Sequence, residues 1–470
     1  PHNAGSRPQA QFFNTIVRGA TVMDHNDQQN NRLRQDALSI FHSALTAVDP
    51  EEAVHRYLRL DNDVLLLEGR RYDLKSYDRI LVVGGGKAVA PMAKAVEEIL
   101  GRRVAAGALV VKDGHGLPLK KIRVYEASHP VPDERGVAGT LEILQLLEGA
   151  GRRDLVLCLM SGGGSALLIA PAEGISLPDK QATTRSLLAC GATIHEINTI
   201  RKHLSRAKGG QLARAAHPAG VLSLILSDVV GDDLDVIGSG PTVPDRSSFQ
   251  DTLDIFQRYD IWDRIPAPVR ERVSQGAKGA LPETPKPGDP AFDGCAQVLV
   301  GSCLRALTAA AESAERLGYR SLILSSKVEG EAREVAKAFA AIGKEVLSSH
   351  HPLKPPACIL TGGETTVTLL GDGRGGRNQE FVLAGAMALE GIADVVLLAG
   401  GTDGTDGPTD AAGAVADGAT IGKAKTLGMD PHAFLKRSDS YHFFKPLDDL
   451  IITGPTRTNV MDVYMLLVGA

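Results

Sequence analysis

The stretch 361–380, TGGETTVTLLGDGRGGRNQE, gathers a carboxylate at Glu364 and two arginines, Arg374 and Arg377, among closely spaced glycines. Residues 359–361 and 366–370 read as strands and 381–389 as a helix, so the glycines fall in the connection and form a helix entrance. Unpaired N–H groups at such an entrance favour an anion, and a guanidinium adds a planar fork of donors that matches phosphate or carboxylate oxygens. Glu364, Gly375, Asn378 and Gln379 are therefore candidate phosphate or nucleotide contacts beside Arg377. A glycine-rich turn with solvated arginines is the structural alternative, and it competes most closely at Arg374.

Three further stretches carry comparable chemistry. Gly84-Gly85-Gly86-Lys87 lets backbone amides approach a phosphate while the lysine supplies charge; Ala88 after the lysine and the glycine spacing exclude a Walker A loop. Ser161, Gly162, Gly163, Gly164 and Ser165 offer an amide nest with two hydroxyls, without the G-x-S-x-G pattern of a hydrolase elbow. Helix capping is the alternative for the serines. Asn198, Arg201, Lys202 and Lys208 lie close together, with Arg201 and Lys208 seven apart on one helix face, either as an anion contact or as a solvated basic face.

Asp228, Asp403, Asp406 and Asp410 follow strand ends, where a carboxylate either holds Mg²⁺ beside substrate phosphates or accepts a hydroxyl proton. Aspartate is also a common turn residue, which is the alternative at each position. Gly371, Gly373 and Gly376 satisfy G-x-G-x-x-G, but Gly400-Gly401 replaces the acidic residue a dinucleotide site needs after the next strand, and an arginine sits amid the glycines.

The elements that must position these residues alternate strand, glycine turn and helix, beginning with a strand at 79–83 and a helix at 88–100, which is the grammar of a parallel α/β sheet. Ligands of such sheets bind outside the carboxyl ends of the strands, where all the glycine loops fall. With 470 residues, two domains are expected: a leader over 1–30, one domain over 31–285, a proline- and glycine-rich link at 278–290, and a second domain over 291–470 in which the pattern restarts with a strand at 297–300. A net charge of −5 and 4% aromatic residues argue against nucleic acid as a partner. Five cysteines without a CxxC pair fit a reducing, cytoplasmic compartment, and no apolar run approaches the roughly 20 residues of a membrane span.

Read together, GGGKA (84–88), LMSGGGSALL (159–168), NTIRKHLSRAKGG, LILSDVVGDDLDVIGSGPT, TGGETTV, GRGGRNQE, GGTDGTDGPTDAAGA and TNVMD resemble the class II glycerate kinases. The resemblance implies a Rossmann-like N-terminal α/β/α domain and a smaller C-terminal α/β domain with the active-site cleft between them. It also implies ATP-dependent phosphorylation of D-glycerate to 2-phosphoglycerate, with Lys87 and Arg377 as the central catalytic cations. On that reading Mg²⁺ bridges ATP oxygens near Asp403 or Asp406. Asp228, Asp403 or Asp406 activates the acceptor hydroxyl, and Arg201 or Lys202, with Asn198, takes the carboxylate of glycerate. The partners are then small molecules, and the protein a monomer or homodimer. A hydroxypyruvate reductase and a non-catalytic sugar-acid or nucleotide sensor are the alternatives.

Overall fold

Seven buried residues in succession, Asp154–Met160, have two faces to satisfy. Leu155, Leu157 and Leu159 enter one apolar cluster, while Val156, Cys158 and Met160 enter another. A strand buried on both faces belongs inside a helix-covered parallel sheet. In the computed structural model of the protein, which describes residues 25–470, that strand is central. After an antiparallel meander of β1 (Leu58–Asp61), β2 (Val64–Leu67) and β3 (Arg70–Asp73) come β4 (Arg79–Gly85), β5 (Val104–Lys112), β6 (Ile122–Ala127), β7 (Asp154–Met160), β8 (Gly220–Leu226) and β9 (Ala296–Gly301). The last six form a wholly parallel sheet in the order β6-β5-β4-β7-β8-β9.

The second sheet contains β10 (Arg320–Glu331), β11 (Ala357–Thr366), β12 (Val395–Gly401), β13 (Gly413–Asp417), β14 (Leu450–Ile451) and β15 (Asp462–Val468), in the order β10-β11-β15-β12-β13-β14. It is mixed. β15 is inserted antiparallel between β11 and β12, and its first residue, Asp462, stands in register with Gly363 on one side and Gly401 on the other. The start of β15 thus shares an edge with the carboxyl ends of its two neighbours.

One apolar cluster joins the two sheets: it takes Leu157 and Leu224 from the first, Leu360, Leu398 and Met465 from the second, and residues of the helices His25–Ala47, Val89–Leu100 and Cys303–Arg316. Burial of this kind contributes about 25 cal/mol per Å² of apolar surface and holds the two edges in fixed relation.

The observed elements correct several expectations. The strand near 297–300 does not open a second unit; it is β9, and it completes the first sheet beside β8. The helix His25–Ala47, placed with the first sheet by a division at 31–285, packs on the second. Arg34 there donates to Asp417 Oδ2 at 2.6 Å and Asp449 Oδ1 at 2.5 Å, and Asp36 accepts from the Tyr319 hydroxyl at 2.7 Å. These partners lie hundreds of residues away, so local pattern could not find them. Residues 357–366 make one strand rather than the first of two, because the 367–370 run leaves the sheet with Leu369 and Leu370 exposed. Of the leader expected over 1–30, residues 1–24 lie outside the described residues, and the chain is helical from His25. Among the described residues no helix is long and apolar enough to cross a membrane.

Candidate active site

Lys87 follows β4 directly and precedes the helix Val89–Leu100. The neighbouring loop, Ser161–Ser165, follows β7, and the two are tied together. Gly86 N donates to Val110 O at 3.1 Å, Lys87 N to Gly162 O at 2.8 Å, and Ala88 N to the Ser161 hydroxyl at 2.9 Å. The amides of Lys87 and Ala88 therefore lock one loop to the other while that of Gly86 is taken by β5, and what the first loop presents to a ligand is the Lys87 side chain. Gly163 adopts a left-handed conformation with φ 83°, and a Cβ there would stand 3.1 Å from the His129 ring and 3.3 Å from Lys87 Cγ. A Cβ on Gly162 would collide with the Asp228 carboxylate. Both glycines are required by close approach.

Asp228, at the end of β8, thus lies against the Ser161–Ser165 loop and also accepts from the Gly163 amide. Burial raises its carboxyl to about 6, opposed by Lys87 and reinforced by Glu364. His129, after β6, is pushed down to about 4 by burial and then by Lys87 and Lys112, so its imidazole is neutral at pH 7. His115 shares Lys87 O through Nδ1 at 2.8 Å and is also lowered, by burial.

The second sheet contributes from the facing edge. Arg377 opens the helix Arg377–Ala388 and is clamped: Nε and Nη2 donate to Asp462 Oδ2 and Oδ1 at 2.5 and 3.1 Å, and Nη1 donates to Glu364 at 2.8 Å. Burial works against its charge, yet the Asp462 and Glu364 carboxylates hold the guanidinium above its usual range. Asp462 is fully buried and also accepts from Asn378 Nδ2 at 3.0 Å and the Tyr464 hydroxyl at 3.1 Å. The Lys87 ammonium has no hydrogen-bond or ion-pair partner among the described residues, but its charge bears on both Asp228 and Glu364. Lysine from one sheet and arginine from the other therefore act on the same carboxylate.

The helix entrance that was expected to attract an anion is already occupied by one from the chain. Asp406 Oδ1 and Oδ2 accept from Asn378 N at 3.0 Å and Gln379 N at 2.8 Å, an arrangement that caps the helix. Asn378 and Gln379 thus face Asp406 through their amides, and neither oxygen of Asp406 is left free of a bond. Asp403 differs: it is half-buried, and Oδ1 accepts from Thr405 N at 3.0 Å within a turn. A Cβ on Gly401 would stand 2.9 Å from Thr405 O, with Asp403 Oδ1 and Asp462 Oδ1 at ordinary contact distance of 3.4 Å, so this glycine lets the Asp403 turn close beside Asp462. Among the described residues no group of three or more His, Cys, Asp or Glu converges as a preformed metal cage.

The remaining expectations divide. Lys202 is buried and neutralised by Asp235 and, at 3.3 Å, by Asp245, so it is a structural cation. Arg201 has no ion pair, and Asn198 Oδ1 accepts from the Ser239 hydroxyl at 3.0 Å, which in turn meets Ser165 Oγ at 2.8 Å. Gly375 packs on Ser440, while the triplet Gly371, Gly373 and Gly376 packs on Arg437, Asp439 and Asp406; these glycines allow close contact between loops and do not surround a cofactor space. Arg374 lies 4.9 Å over the Tyr441 ring and donates to Pro408 O. Asp410, taken among the strand-end carboxylates, accepts from the Tyr441 hydroxyl at 2.8 Å and is exposed. Sequence reasoning missed Asp462, His115 and His129. The last two carried no motif, whereas Asp462 was visible as the acid that opens the final apolar run.

Residues 36–274 match the family model described as a domain of unknown function, DUF4147, and residues 357–462 match the MOFRL family. The chain is 41% identical to the glycerate 2-kinase of Pyrococcus horikoshii, covering 93% of this chain and 97% of that one. It is 43% identical to the D-glycerate 2-kinase of Thermotoga maritima, covering 93% and 98%. The crystal structure of a glycerate kinase from Thermotoga maritima superposes with a TM-score of 0.84 at 42% identity, over 93% of this chain and all of that one. The chain belongs to the class II glycerate 2-kinase family.

Proposed function

We propose that the protein transfers the γ-phosphoryl group of ATP to the 2-hydroxyl of D-glycerate, giving 2-phospho-D-glycerate and ADP. The observation that carries this reading is that Arg377 pairs with Glu364 while Lys87, from the opposite sheet, bears on the same carboxylate through its charge. Phosphoryl transfer needs charge placed around the moving group more than it needs covalent chemistry. Arg377 is held rigidly by Asp462 and offers a fixed edge to the phosphoryl oxygens, whereas Lys87 is free of partners and follows the group as charge moves. Asp228 takes the proton of the acceptor hydroxyl as its oxygen bonds to phosphorus and the bond to the ADP oxygen breaks. A carboxyl near 6 is mostly ionised at neutral pH and still basic enough for the task.

Mg²⁺ when bound neutralises the phosphate oxygens of ATP, and the residue of this chain best suited to hold it is Asp403. Glu364 and Asp462 are already paired with Arg377, whereas Asp403 is half-buried with no ion pair among the described residues, and Mg²⁺ typically uses one or two carboxylates with substrate phosphates completing its shell. Asp406, saturated by helix amides, serves as a cap instead. The acceptor's carboxylate falls to Arg201, since Lys202 is already neutralised. We also read the architecture as two domains: a Rossmann-like one around the parallel sheet, extending through β9, and a smaller one around the mixed sheet together with the helix His25–Ala47. The strand order of the first sheet and the docking of Arg34 on the second support that division.

The test is a steady-state assay of the purified chain with ATP, Mg²⁺ and D-glycerate, with the product isomer identified by phosphorus NMR and hydroxypyruvate plus NADH run in parallel. Formation of 2-phosphoglycerate is expected. NADH consumption without phosphoglycerate would refute the kinase in favour of a reductase, and 3-phosphoglycerate would overturn the regiochemistry.

A further inference from the structure

Lys202 and Lys208 are both buried, at 3% and 1% exposure, yet only one is neutralised. Lys202 has Asp235 and Asp245. The Lys208 ammonium has no hydrogen-bond partner among the described residues, and its charged neighbours are cations: burial and then Lys180 and Arg201 push it well below its usual range. Lys180 is itself pushed down to about 7 by burial and then by Arg201 and Arg272, but it has a partner: its Nζ donates to Leu204 O at 2.8 Å at the carbonyl end of the helix Ile194–His203. That end carries the negative pole of the helix dipole. Arg201 has no carboxylate partner among the described residues. A buried cation beside a second unpaired cation is strongly unfavourable, so the Lys208 amine tends to give up its proton until an anion joins the two and favours the charged form.

The pair adjoins the site described above. Gly209, next to Lys208, donates its N–H to Ser239 O at 2.9 Å. The Ser239 hydroxyl links Asn198 on the Arg201 helix to Ser165, whose loop faces Lys87 through Gly163. Because Asn198 Oδ1 is used by Ser239, its Nδ2 amide remains as a donor.

We propose that Lys208 and Arg201 form one pocket for the carboxylate of the acceptor, with Lys208 as its buried floor, Arg201 as its mouth and the Asn198 amide as a third donor. The ligand class is a small 2-hydroxy acid, and the assignment rests on the kinase reading above. Two cations on one carboxylate make the acid function the principal recognition element, so a neutral polyol such as glycerol is a poor acceptor.

The decisive variant is Lys208→Met, which keeps the volume and removes the charge. The KM for D-glycerate is expected to rise about 100-fold while the KM for ATP changes less than about twofold, as follows when a buried charge contact is lost. The melting temperature without ligand is expected to stay or rise, since an unpaired buried charge is removed, and the rise that D-glycerate alone gives the wild-type protein is expected to vanish. A higher KM for ATP with an unchanged KM for glycerate would overturn the proposal in favour of a nucleotide-phosphate site. A lower melting temperature with both KM values unchanged would overturn it in favour of a structural lysine. Should Lys208→Met not fold, Arg201→Gln carries the same test, and an unchanged KM for glycerate there overturns the pocket. A wild-type protein that binds D-glycerate but forms no phosphoglycerate would instead refute the kinase reading and leave the pocket standing.

Discussion

The two sheets bring different charge to the site by different means. The parallel sheet supplies cations, imidazoles and one carboxylate from loops at its strand ends: Lys87 after β4, Lys112 at the end of β5, His115 and His129 on either side of β6, and Asp228 after β8. The mixed sheet supplies carboxylates: Glu364 on β11, Asp403 after β12 and Asp462 at the start of β15. Its cation Arg377 is clamped by two of them. A wholly parallel sheet can offer only carboxyl ends at one edge, so its functional groups ride on loops. An antiparallel strand inserted between parallel neighbours brings an amino end to that edge, and Asp462 is fixed there by ladders on both sides. One half of the site is adaptable and the other preorganised, and preorganised donors cost no reorganisation when charge develops.

Breaking the adaptable half has the largest expected effect. Lys87→Ala lowers kcat about 10³-fold, with a smaller change in the KM for ATP, measured in the steady state; near-normal turnover in the folded variant would remove Lys87 from the mechanism. Breaking the preorganised half costs less because the arginine survives. Asp462→Asn leaves Arg377 charged but removes its ionised anchor, and a fall in kcat of about 10²-fold is expected, with Tyr464 and Asn378 still in place. If kcat is unaltered, Arg377 does not depend on the clamp.

The joint between the halves is probed by Arg34→Ala, which leaves Asp417 and Asp449 buried without their cation, the three side chains being only 13%, 1% and 8% exposed. Loss of about 3–5 kcal/mol in urea unfolding is expected, with kcat per folded molecule preserved. The smallest effect sharpens the comparison through pH. Burial raises the Asp228 carboxyl from its ordinary range to about 6, and the catalytic form is the ionised one, so kcat/KM is full above that value and falls as pH drops through it, by about twofold at pH 6. Asp228→Asn loses this limb; a limb that persists in the variant assigns it to another group.

Much of this architecture was legible before any coordinates. The strand at 79–83 and the helix at 88–100 stand close to their expected places, at Arg79–Gly85 and Val89–Leu100, because an apolar run ending in a glycine turn is a local pattern. Lys87 and Arg377 are legible because glycines and a charge at a strand or helix end form a local pattern. His115 and His129 are not, since an isolated histidine reports nothing until a fold brings Lys87 beside it.

Local chemistry in the chain therefore determined the strands, the glycine turns and the cations at their ends, all of which depend on neighbours a few residues apart. Only the tertiary structure decided which charges are neutralised. It gave Lys202 two aspartates and Lys208 none, gave Asp406 to a helix and left Asp403 half-buried in a turn. The physical reason is range. A turn or a cap is settled within one stretch of backbone, whereas the cost of a buried charge depends on whatever distant segment folds against it, as Asp462 folds against Arg377 across 85 residues.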